Sequence, residues 1–188
     1  EADPATFQAL SYGYAKDRHR AWFEDKSFEV NDIESFKVLD YHFAVDKIKV
    51  YVDQIESRGI SGSTFELINA QYAKDDKTYF YIRPKGDGNM DINKMACDYP
   101  TLEILNADYA KDKVHVFFQG IEIRNAQAAS FLFINDHYCK DQQHVYFRNQ
   151  LIPQADPHSF EPFKENENSL GETLYAKDKN HIYINDAI

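Results

Sequence analysis

The ten residues Tyr175-Ala176-Lys177-Asp178-Lys179-Asn180-His181-Ile182-Tyr183-Ile184 contain the pattern on which the whole chain is built. An aromatic and a small residue precede a lysine and an aspartate, and an apolar–aromatic–apolar triplet follows after three variable residues. Aspartate is favoured at the first position of a type I turn, because its carboxylate accepts N–H groups of the turn. The triplet is typical of a returning β-strand, so the stretch predicts a β-hairpin.

The same pattern occurs six times along the chain. The copies begin at residues 14, 43, 72, 109, 138 and 175, so the intervals between them are 29, 29, 37, 29 and 37. A second marker precedes each copy, and its members are Phe7, Phe36, Phe65, Leu102, Phe131 and Phe160. A unit of 29 residues that twice gains the same excess of eight indicates a tandem repeat protein.

Every copy has an aspartate at its turn, and we interpret these residues as structural turn caps. They are Asp17, Asp46, Asp75, Asp112, Asp141 and Asp178. The length of the turn stays open. A two-residue loop would place Ala15 opposite Trp22 and Tyr14 opposite Phe23. A three-residue loop would place Lys16 beside Trp22, where a cation–π contact could form.

The pattern predicts a mainly β protein with short helical turns (α+β). Its six tandem β-hairpins are expected to stack as a solenoid-like or elongated sheet array, because one hairpin cannot bury both of its faces. Helical turns are expected at 3–10 and 156–160, where aspartate caps and proline takes the first helical position. We expect a single domain over 1–188, with units at about 1–30, 31–60, 61–92, 93–125, 126–154 and 155–188. An open sheet, a solenoid and a two-layer arrangement all stay open.

The repeated motif resembles that of the DKNYY family of bacterial repeat proteins, and the copy from Tyr175 to Tyr183 is the best match. The second and fifth copies depart from it, with Val45 in place of lysine and Cys139 in place of alanine. The resemblance covers nearly the whole chain. The family has no established activity, so the resemblance implies no catalytic residues, but it does imply export or association with the cell envelope.

The composition is acidic and rich in aromatic residues. With 21 basic and 31 acidic residues the net charge is −10. This charge disfavours nucleic-acid binding and favours a protein partner with a basic surface, or simple solubility. No apolar run is long enough to cross a bilayer, so the protein is not expected to be transmembrane. Because Glu1 falls inside a repeat unit, we expect that an upstream segment was removed and that the protein is periplasmic or envelope-associated; a cytoplasmic location is the alternative.

No catalytic motif and no metal-binding motif stands out, and we expect no cofactor. Three histidines, at positions 115, 144 and 181, share one repeat position, but arginine, lysine or threonine occupies it in other copies. This variation favours a tolerant turn position over a zinc site. The motif lysines at positions 16, 74, 111, 140 and 177 are expected to cover aromatic faces with their alkyl stems. Cys97 and Cys139 permit one disulfide without requiring it, and the oligomeric state stays open.

The two eight-residue excesses are the best candidates for contact with a partner, because insertions in repeat arrays tend to fall on one face, often the binding face. The first excess contains the loop 85–89, and the second contains the polar segment 164–168. The candidate partner-binding residues in them are Lys85, Asp87, Asn89, Glu165 and Glu167. Tolerated surface loops explain both segments equally well.

These features predict a non-catalytic protein that binds another protein. One form of this function is an immunity protein that neutralises a secreted toxin or effector by covering a basic cleft. The alternative is a structural or surface module of the cell envelope, similar to a lipoprotein. A glycan-acting enzyme ranks last. Such enzymes use a pair of carboxylates, but pairs of carboxylates occur throughout so acidic a chain and therefore do not indicate an active site.

Overall fold

A computed structural model describes residues 2–163 and 174–187 of the chain. The prediction of a mainly β protein is confirmed, since 38% of the described residues lie in strands and 3% in helices. The helical turns expected at 3–10 and 156–160 are single hydrogen-bonded turns and not helices, and residues 8–9 belong to a strand. The described helices are single 3₁₀ turns at Tyr99–Thr101 and Ala128–Ser130. No helix in the described part of the chain has the length and apolar character needed to span a membrane.

The chain divides into two compact units, Glu1–Met95 and Ala96–Ile188. The prediction of a single domain over 1–188 stays a prediction. Among residues 2–163 and 174–187, each unit contains three antiparallel sheets, and each sheet holds one copy of the repeat.

The first unit consists of sheets 1 to 3, with four strands each. Sheet 1 contains β1 (Gln8–Ala9), β2 (Tyr14–Lys16), β3 (Ala21–Phe23) and β4 (Lys26–Phe28). Sheet 2 contains β5 (Lys37–Val38), β6 (Phe43–Val45), β7 (Val50–Val52) and β8 (Ile55–Ser57). Sheet 3 contains β9 (Glu66–Leu67), β10 (Tyr72–Lys74), β11 (Tyr79–Pro84) and β12 (Met90–Lys94).

The second unit consists of sheets 4 to 6. Sheet 4 contains β13 (Glu103–Ile104), β14 (Tyr109–Lys111), β15 (Val116–Phe118) and β16 (Ile121–Glu122). Sheet 5 contains β17 (Leu132–Phe133), β18 (Tyr138–Lys140), β19 (Val145–Phe147) and β20 (Gln150–Leu151). Sheet 6 contains β21 (Glu161–Pro162), β22 (Tyr175–Lys177) and β23 (Ile182–Ile184).

The register of the central hairpin is the same in all six sheets. In sheet 1, Tyr14 pairs with Phe23, Ala15 with Trp22 and Lys16 with Ala21, which is the register of the two-residue loop. Because side chains alternate along a strand, each hairpin has two distinct faces. The motif alanine and the central aromatic residue lie on one face, which we call the alanine face. The motif tyrosine and lysine lie on the other face together with their cross-strand partners, and we call it the tyrosine face.

The core of each unit forms where the tyrosine face of one sheet meets the alanine face of the next. Between sheets 1 and 2, Tyr14 and Ala21 pack with Ala44 and Tyr51, and the marker Phe36 joins them. The same combination recurs between sheets 2 and 3, 4 and 5, and 5 and 6. A small residue opposite a large ring therefore leaves room for the side chains of the preceding sheet.

Sheet 3 differs from the others because β11 and β12 are longer. β11 continues to Pro84, and the chain turns at residues 85–89 before β12 returns as far as Lys94, beyond the expected unit boundary at 92. The turn is closed by the Lys85 N–H, which donates to the Asn89 carbonyl at 2.7 Å, and Gly88 has a φ of 85°. The first eight-residue excess therefore extends a regular hairpin.

Candidate partner-binding surface

The six motif aspartates lie buried inside their turns. In the second copy, Asp46 Oδ1 accepts the N–H groups of Ile48 and Lys49, both at 2.7 Å. Its Oδ2 accepts the N–H of Asp32 at 2.9 Å and the hydroxyl of Tyr51 at 2.7 Å. One carboxylate thus closes its own turn and also holds the segment that leads into the same repeat.

This double role recurs in the other copies. The Oδ2 atom accepts an N–H from the preceding segment in every copy, and the donors are Asp3, Asp32, Ser61, Asp98, Gln127 and Asp156. Burial raises the pKa of Asp112, but the backbone N–H groups of Asp98, His115 and Val114 outweigh burial and lower it to about 2. The oxygens of the motif aspartates thus already accept several N–H bonds, and this supports their interpretation as structural turn caps.

A second repeated contact was missed by sequence reasoning. A serine or threonine hydroxyl directly before each marker residue accepts the N–H of the residue that follows the motif aspartate. The acceptors are Thr6, Ser35, Thr64, Thr101, Ser130 and Ser159. The signal was present in the sequence as a hydroxyl residue at one fixed repeat position. The aspartate and the hydroxyl together tie each connecting segment to its turn.

Replacing Ser35 by alanine is expected to lower the free energy of unfolding by about 1 kcal/mol, the usual loss for one hydrogen bond of this kind. The Ser35 hydroxyl accepts the N–H of Lys47 at 2.9 Å and donates to Asp32. Urea unfolding followed by the fluorescence of Trp22, the one tryptophan of the chain, measures this loss. Ser63→Ala is the matched control, because Ser63 is exposed and its hydroxyl contacts that of Ser61. Equal losses in the two variants would contradict the role of Ser35.

Two of the motif lysines, Lys16 and Lys140, reach the next repeat, which the sequence did not predict. Lys16 Nζ donates to the carbonyls of Ile33 and Phe36 at 3.1 Å, and Lys140 Nζ donates to the carbonyl of Pro157 at 2.7 Å. Lys177 lies 5.6 Å from the ring centre of Phe163, which is a cation–π contact. Lys16 and Lys140 therefore act in cohesion between repeats, and Lys177 covers a ring of its own repeat.

The three histidines at the shared repeat position lie beside the aspartates of their own turns. The Nδ1 atoms of His115, His144 and His181 are 3.2, 3.5 and 3.6 Å from an aspartate oxygen. Within residues 2–163 and 174–187, no three histidine, cysteine, aspartate or glutamate side chains form a group that could hold a metal ion. Cys139 is a free thiol in the core of the second unit, where burial raises its pKa to about 12.

The candidate binding residues of the first excess lie together at the tip of the extended hairpin. Asp87 accepts the backbone N–H and the side-chain amide of Asn89, both at 3.1 Å, and these bonds lower the pKa of Asp87. Lys85 and Asn89 line a groove of about 210 Å³ in the first unit. Glu165 and Glu167 lie outside the described residues.

The groove runs between β8, the last strand of sheet 2, and β12, the last strand of sheet 3. Ile55, Met90 and Ile92 supply apolar lining, and Ile55 is among the most exposed apolar side chains of the chain. Asp53, Glu56 and Asp91 add carboxylates, against Lys85 in the lining and Lys49, which is ion-paired with Glu56. The groove therefore combines apolar contact area with net negative charge.

Asp53 fixes the floor of the groove by joining the two sheets. Its Oδ2 accepts the N–H of Met90 at 2.6 Å, and its Oδ1 lies 2.6 Å from Nδ1 of His42. Asp53 and Gln54 have φ values of 49° and 65°, the left-handed backbone of a tight hairpin turn. The turn between β7 and β8 thus anchors the extended hairpin, and the groove walls are held in place from both sides.

Comparison with known proteins identifies one family. The model of the DKNYY family matches residues 14–150 and 138–188. No curated protein and no solved structure matches the chain.

Proposed function

The chain belongs to the DKNYY family, and from this repeat architecture we propose that it is a non-catalytic protein that binds another protein through the groove between β8 and β12. The observation that carries the proposal is the extended hairpin of sheet 3, which forms a recess against β8. Met90 and Asp91 line this recess from the hairpin, and Ile55 lines it from β8. Short polar connections in the other sheets leave no comparable extension among the described residues.

The chemistry of the groove favours a partner with a basic and apolar surface. Exposed apolar side chains such as Ile55 provide contact area, and the carboxylate of Asp91 attracts lysine or arginine. Glu56 is already ion-paired with Lys49, so it contributes less to this attraction. The net charge of −10 would steer such a partner toward the chain. Both groove strands are edge strands, so an extended segment of the partner could also pair with their backbone. Inhibition of a secreted toxin with a basic cleft is one function of this kind.

The repeat array is the scaffold in this proposal. Within each compact unit, we propose that the three sheets form a solenoid-like stack, because consecutive sheets share one hydrophobic cluster. In the first unit the motif aspartates, hydroxyl residues and core rings keep sheets 2 and 3 in fixed positions. A rigid frame presents the groove without the loss of entropy that a mobile loop would incur on binding.

Reversing the charge of Asp91 is expected to abolish most of the binding. The protein is immobilised and exposed to an extract of the cells that produce it, and the retained proteins are compared for wild type, Asp91→Lys and Asp25→Lys. Asp25 is exposed in the turn between β3 and β4, so Asp25→Lys makes the same charge change away from the groove. We expect retention to fall by about tenfold or more for Asp91→Lys alone, and to weaken as salt is added.

Two outcomes would count against the proposed function. Retention of the same proteins by all three forms would place binding elsewhere on the chain. A complete lack of retained proteins would remove the support for a protein partner in those cells.

A further inference from the structure

The contact between consecutive sheets follows one pattern, which sheets 5 and 6 display in full. The Tyr138 hydroxyl donates to the carbonyls of Leu174 and Asn185 at 3.3 and 3.0 Å. The ring of Tyr138 packs 5.3 Å from that of the marker Phe160. With the bond from Lys140 to Pro157, a tyrosine face thus binds the marker residue, the alanine face and backbone carbonyls of the next sheet.

Sheets 1 and 2 repeat this pattern in the other unit. The Tyr14 hydroxyl donates to the Tyr41 carbonyl at 3.2 Å, and Lys16 bonds the carbonyls of Ile33 and Phe36. Phe36 packs 6.5 Å from Tyr14. The interface between neighbouring sheets is therefore a recurring one with two complementary sides.

Sheet 6 presents a tyrosine face of this kind to solvent. Tyr175 is 50% exposed and Ile182 is 60% exposed, whereas the equivalent Tyr138 and Val145 of sheet 5 are 1% and 0% exposed. The register is the same in both sheets, since Lys177 pairs with Ile182 as Lys140 pairs with Val145. Ile184, at 46% exposure, completes an apolar surface.

Sheet 1 presents the complementary side to solvent. Its marker residue Phe7 is 45% exposed, whereas the markers Phe36, Phe65, Phe131 and Phe160 are 3%, 7%, 6% and 5% exposed. Phe7 packs edge-on against Trp22, the central aromatic residue of the alanine face, at 5.6 Å. Trp22 is half-buried and Ala15 is 9% exposed, so the exposed part of this side is the ring of Phe7 beside Trp22. A tyrosine face on one compact unit and a marker residue on the other are thus open to solvent.

We propose that the exposed tyrosine face of sheet 6 binds the side of sheet 1 that carries Phe7 and Trp22 in a second copy of the chain. Ile182 and Tyr175 pack on Phe7 and Trp22 of that copy, as Val145 and Tyr138 pack around Phe160. Lys177 donates to the carbonyl of Pro4 in that copy, because Pro4 occupies the repeat position of Pro157. A contact between two different surfaces is heterologous, so copies add head to tail without closing a symmetric dimer.

Sedimentation velocity on the 188-residue chain tests this proposal with two charged variants, Ile182→Glu and Phe7→Glu. Both side chains are exposed, so the fold is expected to survive, and circular dichroism checks this. At about 0.15 M salt, which screens the net charge beyond about 8 Å, the mean mass of wild type is expected to rise over roughly a hundredfold range of concentration. Each variant alone is expected to associate at least about tenfold more weakly, which corresponds to about 1.4 kcal/mol.

An equimolar mixture of the two variants distinguishes the proposed contact, which joins two different surfaces, from a symmetric contact between two identical surfaces. Phe7→Glu keeps an intact sheet 6 face and Ile182→Glu keeps an intact sheet 1 face, so the mixture is expected to form dimers and nothing larger. Val114→Glu, which changes an exposed residue in the turn between β14 and β15, is expected to associate as wild type does. A wild-type chain that stays monomeric, a mixture that stays monomeric, or a Phe7→Glu variant that associates as strongly as wild type would each overturn the proposal.

Discussion

Replacing Asp46 by alanine is expected to lower the free energy of unfolding of the first compact unit by about 4 kcal/mol. Hydrogen bonds to a charged acceptor contribute about 1.5–3 kcal/mol each, and water recovers part of that loss where it can enter. Asp46 is 1% exposed and accepts four such bonds, from Asp32, Ile48, Lys49 and Tyr51. Alanine leaves these donors without their acceptor inside a packed turn, and large losses of stability arise in this way.

Urea unfolding followed by Trp22 fluorescence measures this loss in the first unit, while far-UV circular dichroism follows the whole chain. Two probes are needed, because repeat arrays with more than one compact unit can unfold in separate transitions. The matched control is Asp25→Ala, which removes an exposed aspartate from the turn between β3 and β4 and is expected to change stability by less than about 0.5 kcal/mol.

Asp46→Asn refines the experiment. Asparagine keeps one oxygen for the N–H groups of Ile48 and Lys49 but places an amide group opposite the N–H of Asp32, so its stability is expected to lie between those of wild type and Asp46→Ala. A loss below about 1 kcal/mol for Asp46→Ala would contradict the double role of Asp46 in closing its turn and holding the connecting segment. The repeated aspartate would then have no structural explanation.

The hairpins were predictable because their signals are local. The motif aspartate, the two-residue turn and the apolar–aromatic–apolar triplet lie within ten residues, as in Tyr175–Ile184, and each follows from turn chemistry and strand alternation. The pairing of Ala15 with Trp22 was one of two registers that the sequence left open, and the backbone geometry selects it. Local rules thus predict the structure of one repeat unit but not its contacts with neighbouring units.

Contacts between segments were harder to predict because they join residues that are distant in the chain. The N–H of Asp32 reaches Asp46, and Lys16 reaches the carbonyl of Phe36, although nothing in the intervening residues identifies either bond. The hydroxyl position before each marker was visible as a periodic serine or threonine, but its partner was not. The candidate site was predicted in part, since loop 85–89 was selected while Asp53, Ile55 and Asp91 were not.

The close backbone packing at Gly62 was not predicted from the sequence. Gly62 stands at the start of the connecting segment of the third copy, where its N–H donates to the Ile48 carbonyl at 3.2 Å. A Cβ atom built on Gly62 would overlap the backbone of Asp46 and Lys49. Because these atoms belong to a closed turn, they cannot rotate away as a flexible side chain would. The segment and the turn therefore approach more closely than any other residue type allows.

Replacing Gly62 by alanine is expected to destabilise the first compact unit by about 3 kcal/mol, the upper part of the usual range for overpacking. The added methyl group must push the segment away from the turn between β6 and β7, and this movement strains the bonds that Asp46 makes. Urea unfolding followed by Trp22 fluorescence is the measurement, as for Asp46. Gly86→Ala is the matched control, since a Cβ at Gly86 meets no atom within 4 Å. A Gly62→Ala variant as stable as Gly86→Ala would show that the turn and the segment can separate freely, and the close packing of sheets 2 and 3 would then need another cause.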